Sequence, residues 1–166
     1  ATYVPLRPFG GQKQTGVYAT LRSRWTDSLY SIVGLRNSSY EYIHTAGNTR
    51  WKESNIRTPY AGLNVDVSDH VTLYASYAQI FQSQAGNLDE SGNPLDAMEG
   101  DTYELGAKGR WLDGSLAASM ALYQTQRKNG SVRVTTPAGQ PNCCYATLAE
   151  IESRGVDTEI TGELLP

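Results

Sequence analysis

The residues of this chain whose types could do chemistry are two histidines, two adjacent cysteines and a scatter of carboxylates. His44 falls in a polar segment and His70 in a tight-turn sequence. Neither has a Ser or Cys nucleophile at a spacing that would support acyl transfer, so both read as solvated surface histidines. Cys143 and Cys144 sit side by side in Pro141-Asn142-Cys143-Cys144-Tyr145, without the C-x-x-C spacing that wraps a zinc ion. In an oxidising compartment they could close a strained vicinal disulfide, or each could bond a cysteine outside this sequence; two free loop thiols are the alternative. Asp89, Glu90, Asp96, Glu99 and Asp101 are acidic enough to suggest calcium but lack the regular ligand spacing of an EF-hand loop. The chemistry to expect is binding: no enzyme, no cofactor and no protein-held metal.

Composition narrows the partners. The net charge of −3 and the dispersed basic residues give no field for a polyanion, so nucleic acid is not expected. No run approaches the roughly 18 apolar residues of a membrane helix. Membrane strands need only about 9–11 residues each, half of them polar, so a modest hydrophobic content of 39% still allows them. The chain shows no leader sequence and stops at Leu164-Leu165-Pro166 in an apparent strand. Both ends read as cut from a longer protein.

The elements that must position any site are strands. In Thr102–Tyr123, Tyr103, Leu105, Ala107, Gly109 and Trp111 alternate with Glu104, Gly106, Lys108 and Arg110. After Leu112-Asp113-Gly114, Leu116, Ala118, Met120 and Leu122 alternate with Ala117, Ser119, Ala121 and Tyr123. A side-chain period of two sets one face in an apolar medium and the other in a polar one. The same grammar predicts strands over 13–25, 29–42, 56–67, 71–81 and 153–164, with the register of 29–42 left open because both its faces are mixed. Short turns are expected at 26–28, 68–70 and 112–114. Long loops are expected at about 44–55, 82–101 and 127–150, with Asn129-Gly130 turning a small hairpin inside the last.

Short turns at one end and long loops at the other are the asymmetry of an outer-membrane barrel. A soluble lipocalin-like antiparallel module is the alternative, and 166 residues would suit it. The charges favour the barrel. Asp157, Glu159 and Glu163 share one face of the last strand, and Glu104, Lys108 and Arg110 one face of the fifth, which suits a watery or plugged lumen better than a dry core. Trp25, Trp111 and several tyrosines sit near strand ends, where an interfacial girdle would lie.

Three blocks carry a family resemblance. They are Thr58-Pro59-Tyr60-Ala61-Gly62-Leu63 with Leu73-Tyr74-Ala75-Ser76-Tyr77-Ala78-Gln79-Ile80-Phe81; Glu99-Gly100-Asp101-Thr102-Tyr103-Glu104-Leu105-Gly106-Ala107-Lys108-Gly109; and Ser153-Arg154-Gly155-Val156-Asp157-Thr158-Glu159-Ile160-Thr161-Gly162-Glu163-Leu164. In order and spacing they resemble TonB-dependent ferric-siderophore receptors of the bacterial outer membrane. The resemblance implies an all-β fold, an antiparallel meander of about seven strands from a 22-stranded transmembrane β-barrel. Residues 1–166 would be a partial barrel domain lacking the plug and both barrel ends. It also implies uptake of a ferric siderophore, with iron carried as chelate rather than cofactor, energised by the TonB complex through an N-terminal region absent here, with outer-membrane lipid around the wall. Relatives that carry cobalamin or saccharides share the architecture.

A ferric chelate is large, often aromatic and sometimes anionic, so rings and Arg donors at the extracellular mouth would hold it by stacking and charge-assisted bonds. The residues nearest that end are Tyr40, Tyr42, Arg50, Trp51, Gln82, Gln84 and Tyr145, with Arg127 beside them.

Overall fold

The computed structural model describes residues 10–44, 49–134 and 144–163. They form seven antiparallel strands in a single sheet whose spatial order is the chain order: β1 (Gly10–Arg24), β2 (Leu29–His44), β3 (Thr49–Ser68), β4 (Val71–Gln82), β5 (Met98–Trp111), β6 (Leu116–Arg133) and β7 (Tyr145–Gly162). Among the described residues β1 does not pair with β7, so the sheet stays open and is not the self-closed module of the lipocalin alternative.

The register places one row of apolar residues on a common face. Leu21, Val33, Ala61, Tyr77 and Tyr103 stand in one row across β1–β5, and Leu105, Leu122 and Val156 in another across β5–β7. The pairing of Val33 with Ala61 and of Ile32 with Gly62 also fixes β2, whose faces were ambiguous in isolation. This apolar face is bare: Leu105 is 60% exposed, Met120 52% and Ile160 73%. Such a continuous apolar surface is not tolerated in water and marks an interface.

The opposite face is polar and concave. A cavity of about 940 Å³ is lined on that face by residues from β2 to β7, including Asp66, Lys108, Arg110 and Glu159. Thr72 Oγ1 donates to Asp66 at 2.6 Å, Tyr74 Oη donates to Glu104, and the Lys108 ammonium lies 4.5 Å from the centre of the Tyr74 ring. Charges that no dry core would accept are thus held on the inner wall by hydroxyl donors and by the face of a ring.

The same wall repeats one packing device. Tyr60 of β3 faces Gly34 of β2, Tyr74 of β4 faces Gly106 of β5, and Tyr123 of β6 faces Gly155 of β7, each as a directly opposed pair. Each ring lies flat over its glycine: a Cβ added at Gly106 or Gly155 would come within 2.5 Å of the opposing tyrosine. The ring covers backbone that the glycine leaves bare, which is how aromatic neighbours rescue glycine in sheets.

Short connections lie at one end. Trp25 N donates to Leu29 O at 2.9 Å and Thr26 Oγ1 accepts from Leu29 N at 3.0 Å, closing the first turn; Ser68 Oγ accepts from His70 N at 3.3 Å in the second. A 3-10 turn over Leu112–Gly114 closes the third, with Asp113 (φ 54°) and Gly114 (φ 94°) in the left-handed region. At the other end the strands run further than their composition indicates. β2 and β3 continue to His44 and from Thr49, β5 begins at Met98, and β6 and β7 continue to Arg133 and from Tyr145. The loops expected over 44–55, 82–101 and 127–150 are correspondingly shorter. Asn129-Gly130 turns no hairpin; it lies inside β6, with Asn129 at φ 59° and Gly130 paired to Leu148. Polar side chains on both faces mark where a strand has water on both sides, and cross-strand hydrogen bonding does not need an apolar face to continue.

Candidate functional site

Above the Tyr60–Ala78 pair β3 no longer pairs with β4, although β2–β3 and β4–β5 each continue. Two features of β3 account for the separation. Pro59 has no N–H to offer the ladder. A bulge then inserts an extra residue between Glu53 and Ile56, opposite Tyr40 and Ser38, with Asn55 at φ 61°, and a bulge bends and twists its strand. The two arms part and leave a cleft of about 310 Å³ whose walls include Glu53, Arg57, Gln79 and Glu99.

Residues 83–97, between β4 and β5, fold over this opening on the inner face. Ser83 Oγ donates to Glu53 Oε1 at 3.2 Å, and Gly86 lies against the Tyr42 ring. On the other side Asn87 Nδ2 donates to Ser131 Oγ at 3.1 Å and Tyr145 N donates to Leu88 O at 2.9 Å. Gln84 is buried, and its amide donates to the carbonyls of Asp96 (2.7 Å) and Asn129, while Asn129 Nδ2 returns a bond to Ala97 O at 3.1 Å. Asp89 Oδ1 accepts from the backbone of Ser91 and Asn93 at 2.9 and 2.8 Å and holds the loop tip. Ala85 and Leu95 of the loop are buried, as are Ile56 and Ser38 beside the β3 bulge. The loop is therefore a packed strut that ties the β2–β3 arm to the β6–β7 arm.

The expected binding residues divide on this frame. Tyr40, Tyr42 and Trp51 come together: Tyr42 and Trp51 oppose each other across β2–β3 with ring centres 5.8 Å apart, and alternation sets Tyr40 on the same inner face. Arg50 is on the outer face, paired with Glu41 at 2.9 Å, and does not join them. Gln82 is exposed on the inner face of β4. Gln84 is spent on the strut, and Tyr145 tethers the strut through its backbone. Arg127 is exposed and falls on the inner face by alternation in β6. Cys144 is buried and disulfide-bonded; Cys143 lies outside the described residues, as does the side chain of His44. His70 sits in the second short turn with its carbonyl accepting from Arg110 N at 2.9 Å.

Glu53, Ser83 and Asn129 were not singled out from sequence. Glu53 looks like any polar loop acid, and Asn129-Gly130 has the composition of a turn. Burial pushes the Glu53 carboxyl above its usual 4.5, opposed by the Ser83 hydrogen bond and reinforced by the negative charges of Asp96 and Glu99. Burial likewise raises the Tyr40 phenol, again opposed by a hydrogen bond to Ser83 and reinforced by Tyr42 and Glu53. A carboxyl whose folded pKa is raised favours the folded contact in its neutral form, so docking is strongest in acid and weakens as pH rises through the raised value. Trp51 fluorescence should report this step, because Trp51 packs on the ring that the strut covers. Glu53→Gln keeps an acceptor for Ser83 and should remove the step. A signal that is flat from about pH 4 to 7 in the unaltered protein, or a step that survives in Glu53→Gln, would reject the assignment.

The family described as TonB dependent receptor-like, beta-barrel matches residues 2–165. The ferric-pyoverdine 358 receptor of Pseudomonas putida is 37% identical over 93% of this chain, which covers 20% of that protein. The ferripyoverdine receptor of Pseudomonas aeruginosa, in its structure bound to ferripyoverdine, superposes with a TM-score of 0.79 at 32% identity, covering 95% of this chain and 21% of its own. The alcaligin outer-membrane receptor of Bordetella pertussis gives a TM-score of 0.74 at 36% identity, with 95% and 28% covered. The chain spans about a fifth of the length of the curated relatives it matches. With these matches over nearly every described residue, the chain belongs to the TonB-dependent receptor β-barrel family, and its seven strands are a length of wall from a bacterial outer-membrane barrel.

Proposed function

We propose that this chain is part of a receptor that binds a ferric siderophore at its outer mouth and passes it inward, energised by the TonB complex through a region outside this sequence. The likeness to ferric-pyoverdine receptors supports the substrate class. The observation that carries the site is the Tyr40, Tyr42 and Trp51 cluster on the inner face, at the end away from the short turns. Aromatic rings there present stacking surface to a chelate with an aromatic chromophore. Iron enters as substrate within its chelate. No step makes or breaks a covalent bond, and the residues serve to bind and orient rather than to catalyse.

The remaining surfaces fit the same reading. Residues 1–166 form one partial barrel domain. The polar concave wall around Asp66, Lys108, Arg110 and Glu159 faces a plug supplied by another part of the protein. The apolar face meets membrane lipid, with Tyr77 and Tyr103 bounding it toward the mouth and Trp111, whose ring covers Gly109, bounding it toward the short turns. From Tyr103 to Trp111 is about 27 Å of strand at ~3.4 Å per residue, or roughly 20 Å of height at a ~40° tilt, near the ~25 Å apolar band of such barrels.

The test is titration of the intact receptor with ferric pyoverdine-type and ferric hydroxamate chelates. Tyr42→Ala and Trp51→Ala should each weaken the preferred chelate about three- to tenfold, the scale of one lost aromatic contact. An intact receptor that binds neither chelate, or that binds cobalamin or a saccharide in their place, would overturn the proposal.

A further inference from the structure

Two of the three rings of the proposed chelate site already carry a partner. Tyr40 is hydrogen-bonded to Ser83, and the phenol end of Tyr42 lies against Gly86, where an added Cβ would stand 3.6–3.7 Å from ring atoms. Both partners belong to the strut of residues 83–97, and the two arms hold that strut unequally. Toward β6 and β7 it has four hydrogen bonds: Gln84 Nε2 to Asn129 O, Asn129 Nδ2 to Ala97 O, Asn87 Nδ2 to Ser131 Oγ and Tyr145 N to Leu88 O. Toward β2 and β3 its side-chain bonds run through the single hydroxyl of Ser83, which reaches Glu53 Oε1 at 3.2 Å and Tyr40. The β2–β3 arm is itself unpaired with β4 above Tyr60 and bends at the Asn55 bulge.

We propose that the strut is the resident occupant of the chelate site. In the empty receptor it closes on the β2–β3 arm, and a ferric chelate binds by taking its place on Tyr40 and Tyr42. The inference rests on the reading of Tyr40, Tyr42 and Trp51 as the chelate site. Volume makes the two occupants exclusive: Gly86 is in van der Waals reach of Tyr42, so a chelate cannot hold the same end of the ring until the strut and the arm part. Solvation decides which side lets go. Gln84 is buried, and pulling it from Asn129 and Asp96 would strand a buried amide. Ser83 and Glu53 are only half-buried, and both regain water when they separate. The strut therefore stays on β6–β7 while the β2–β3 arm swings from it about the Asn55 bulge. The apparent affinity is the intrinsic one reduced by the fraction of receptors whose arm is open.

The experiment uses the intact receptor, with ferric pyoverdine and a ferric hydroxamate chelate as probes. Ser83→Ala removes both side-chain bonds to the arm and leaves every ring in place. It should tighten the preferred chelate about three- to tenfold, the scale of one or two lost hydrogen bonds. A serine that touched the chelate would give the opposite sign. A second measurement needs no change at the site: spin labels on exposed positions, at Lys52→Cys of the arm and Glu90→Cys of the strut, report their separation by pulsed electron resonance. That distance should lengthen when chelate binds, while the distance from Glu90→Cys to Glu150→Cys on β7 stays constant. Weaker or unchanged binding in Ser83→Ala would overturn the proposal. So would a Lys52–Glu90 distance that holds or shortens, the latter meaning that the strut closes over the chelate, or a Glu90–Glu150 distance that changes. An intact receptor that binds neither chelate would instead overturn the reading of the site beneath it.

Discussion

Arginine in place of Met120 is expected to destabilise the complete barrel by about 2–4 kcal/mol, while arginine in place of the adjacent Ser119 should change stability by less than about 1 kcal/mol. Met120 opposes Ala107 near the middle of the apolar face and is half exposed on it. If that face meets hydrocarbon, the guanidinium must sit at the depth where charge is most costly, too far from either interface to snorkel fully. Ser119 points to the polar wall beside Lys108 and Glu159, where a carboxylate is at hand and water or plug surrounds it. The measurement is reversible unfolding in urea or guanidinium in lipid vesicles. Equal effects at the two positions would mean that the faces have been assigned wrongly, since neighbouring strand residues differ in little except the side they face.

The second large effect concerns the glycines of the inner wall. Gly106→Val should cost about 1–3 kcal/mol, the range for overpacking a fitted site. Its added carbons would meet the Tyr74 ring at 2.5–2.6 Å, and the ring would move away from both Glu104 and Lys108. Gly155→Val should act alike through Tyr123. The two sites meet at Glu104, which accepts from Tyr74 Oη and directly opposes Tyr123 across β5–β6, so their combined effect should depart from the sum by about 0.5 kcal/mol or more. A diagnostic companion is Gly106→Val combined with Tyr74→Ala: shrinking the ring should restore most of the loss if the clash is with Tyr74. A double variant no more stable than Gly106→Val alone would show that the valine disturbs the strand itself.

Much of the wall was legible because alternation is a local property. The strict alternation of Tyr103 to Trp111 and of Leu116 to Leu122 indicates two faces before any partner strand is known, and the structure pairs these strands in the implied register. The resemblance carried by three blocks likewise led to the family that the whole chain matches. Strand ends were less legible. Polarity at 44–55 and 127–150 reads as loop, yet the described residues there are largely strand, because outside the membrane a ladder can be polar on both sides. Among the binding candidates, Tyr40, Tyr42 and Trp51 share a face, while Arg50 is turned away by alternation and Gln84 is drawn into the strut. Residue type marks a ring or donor as available, but its direction depends on register and on the bulge at Asn55.

By itself, then, the sequence determined the seven-strand plan, the apolar and polar faces, and the end at which the short turns lie. Those follow from side-chain period and turn chemistry, which act over a few residues. Only the tertiary structure decided where β3 parts from β4, that residues 83–97 brace two arms, and that Tyr60, Tyr74 and Tyr123 each cover a glycine of the neighbouring strand. Those features join residues far apart in the chain, and they become determinate only when neighbouring strands fix one another's register.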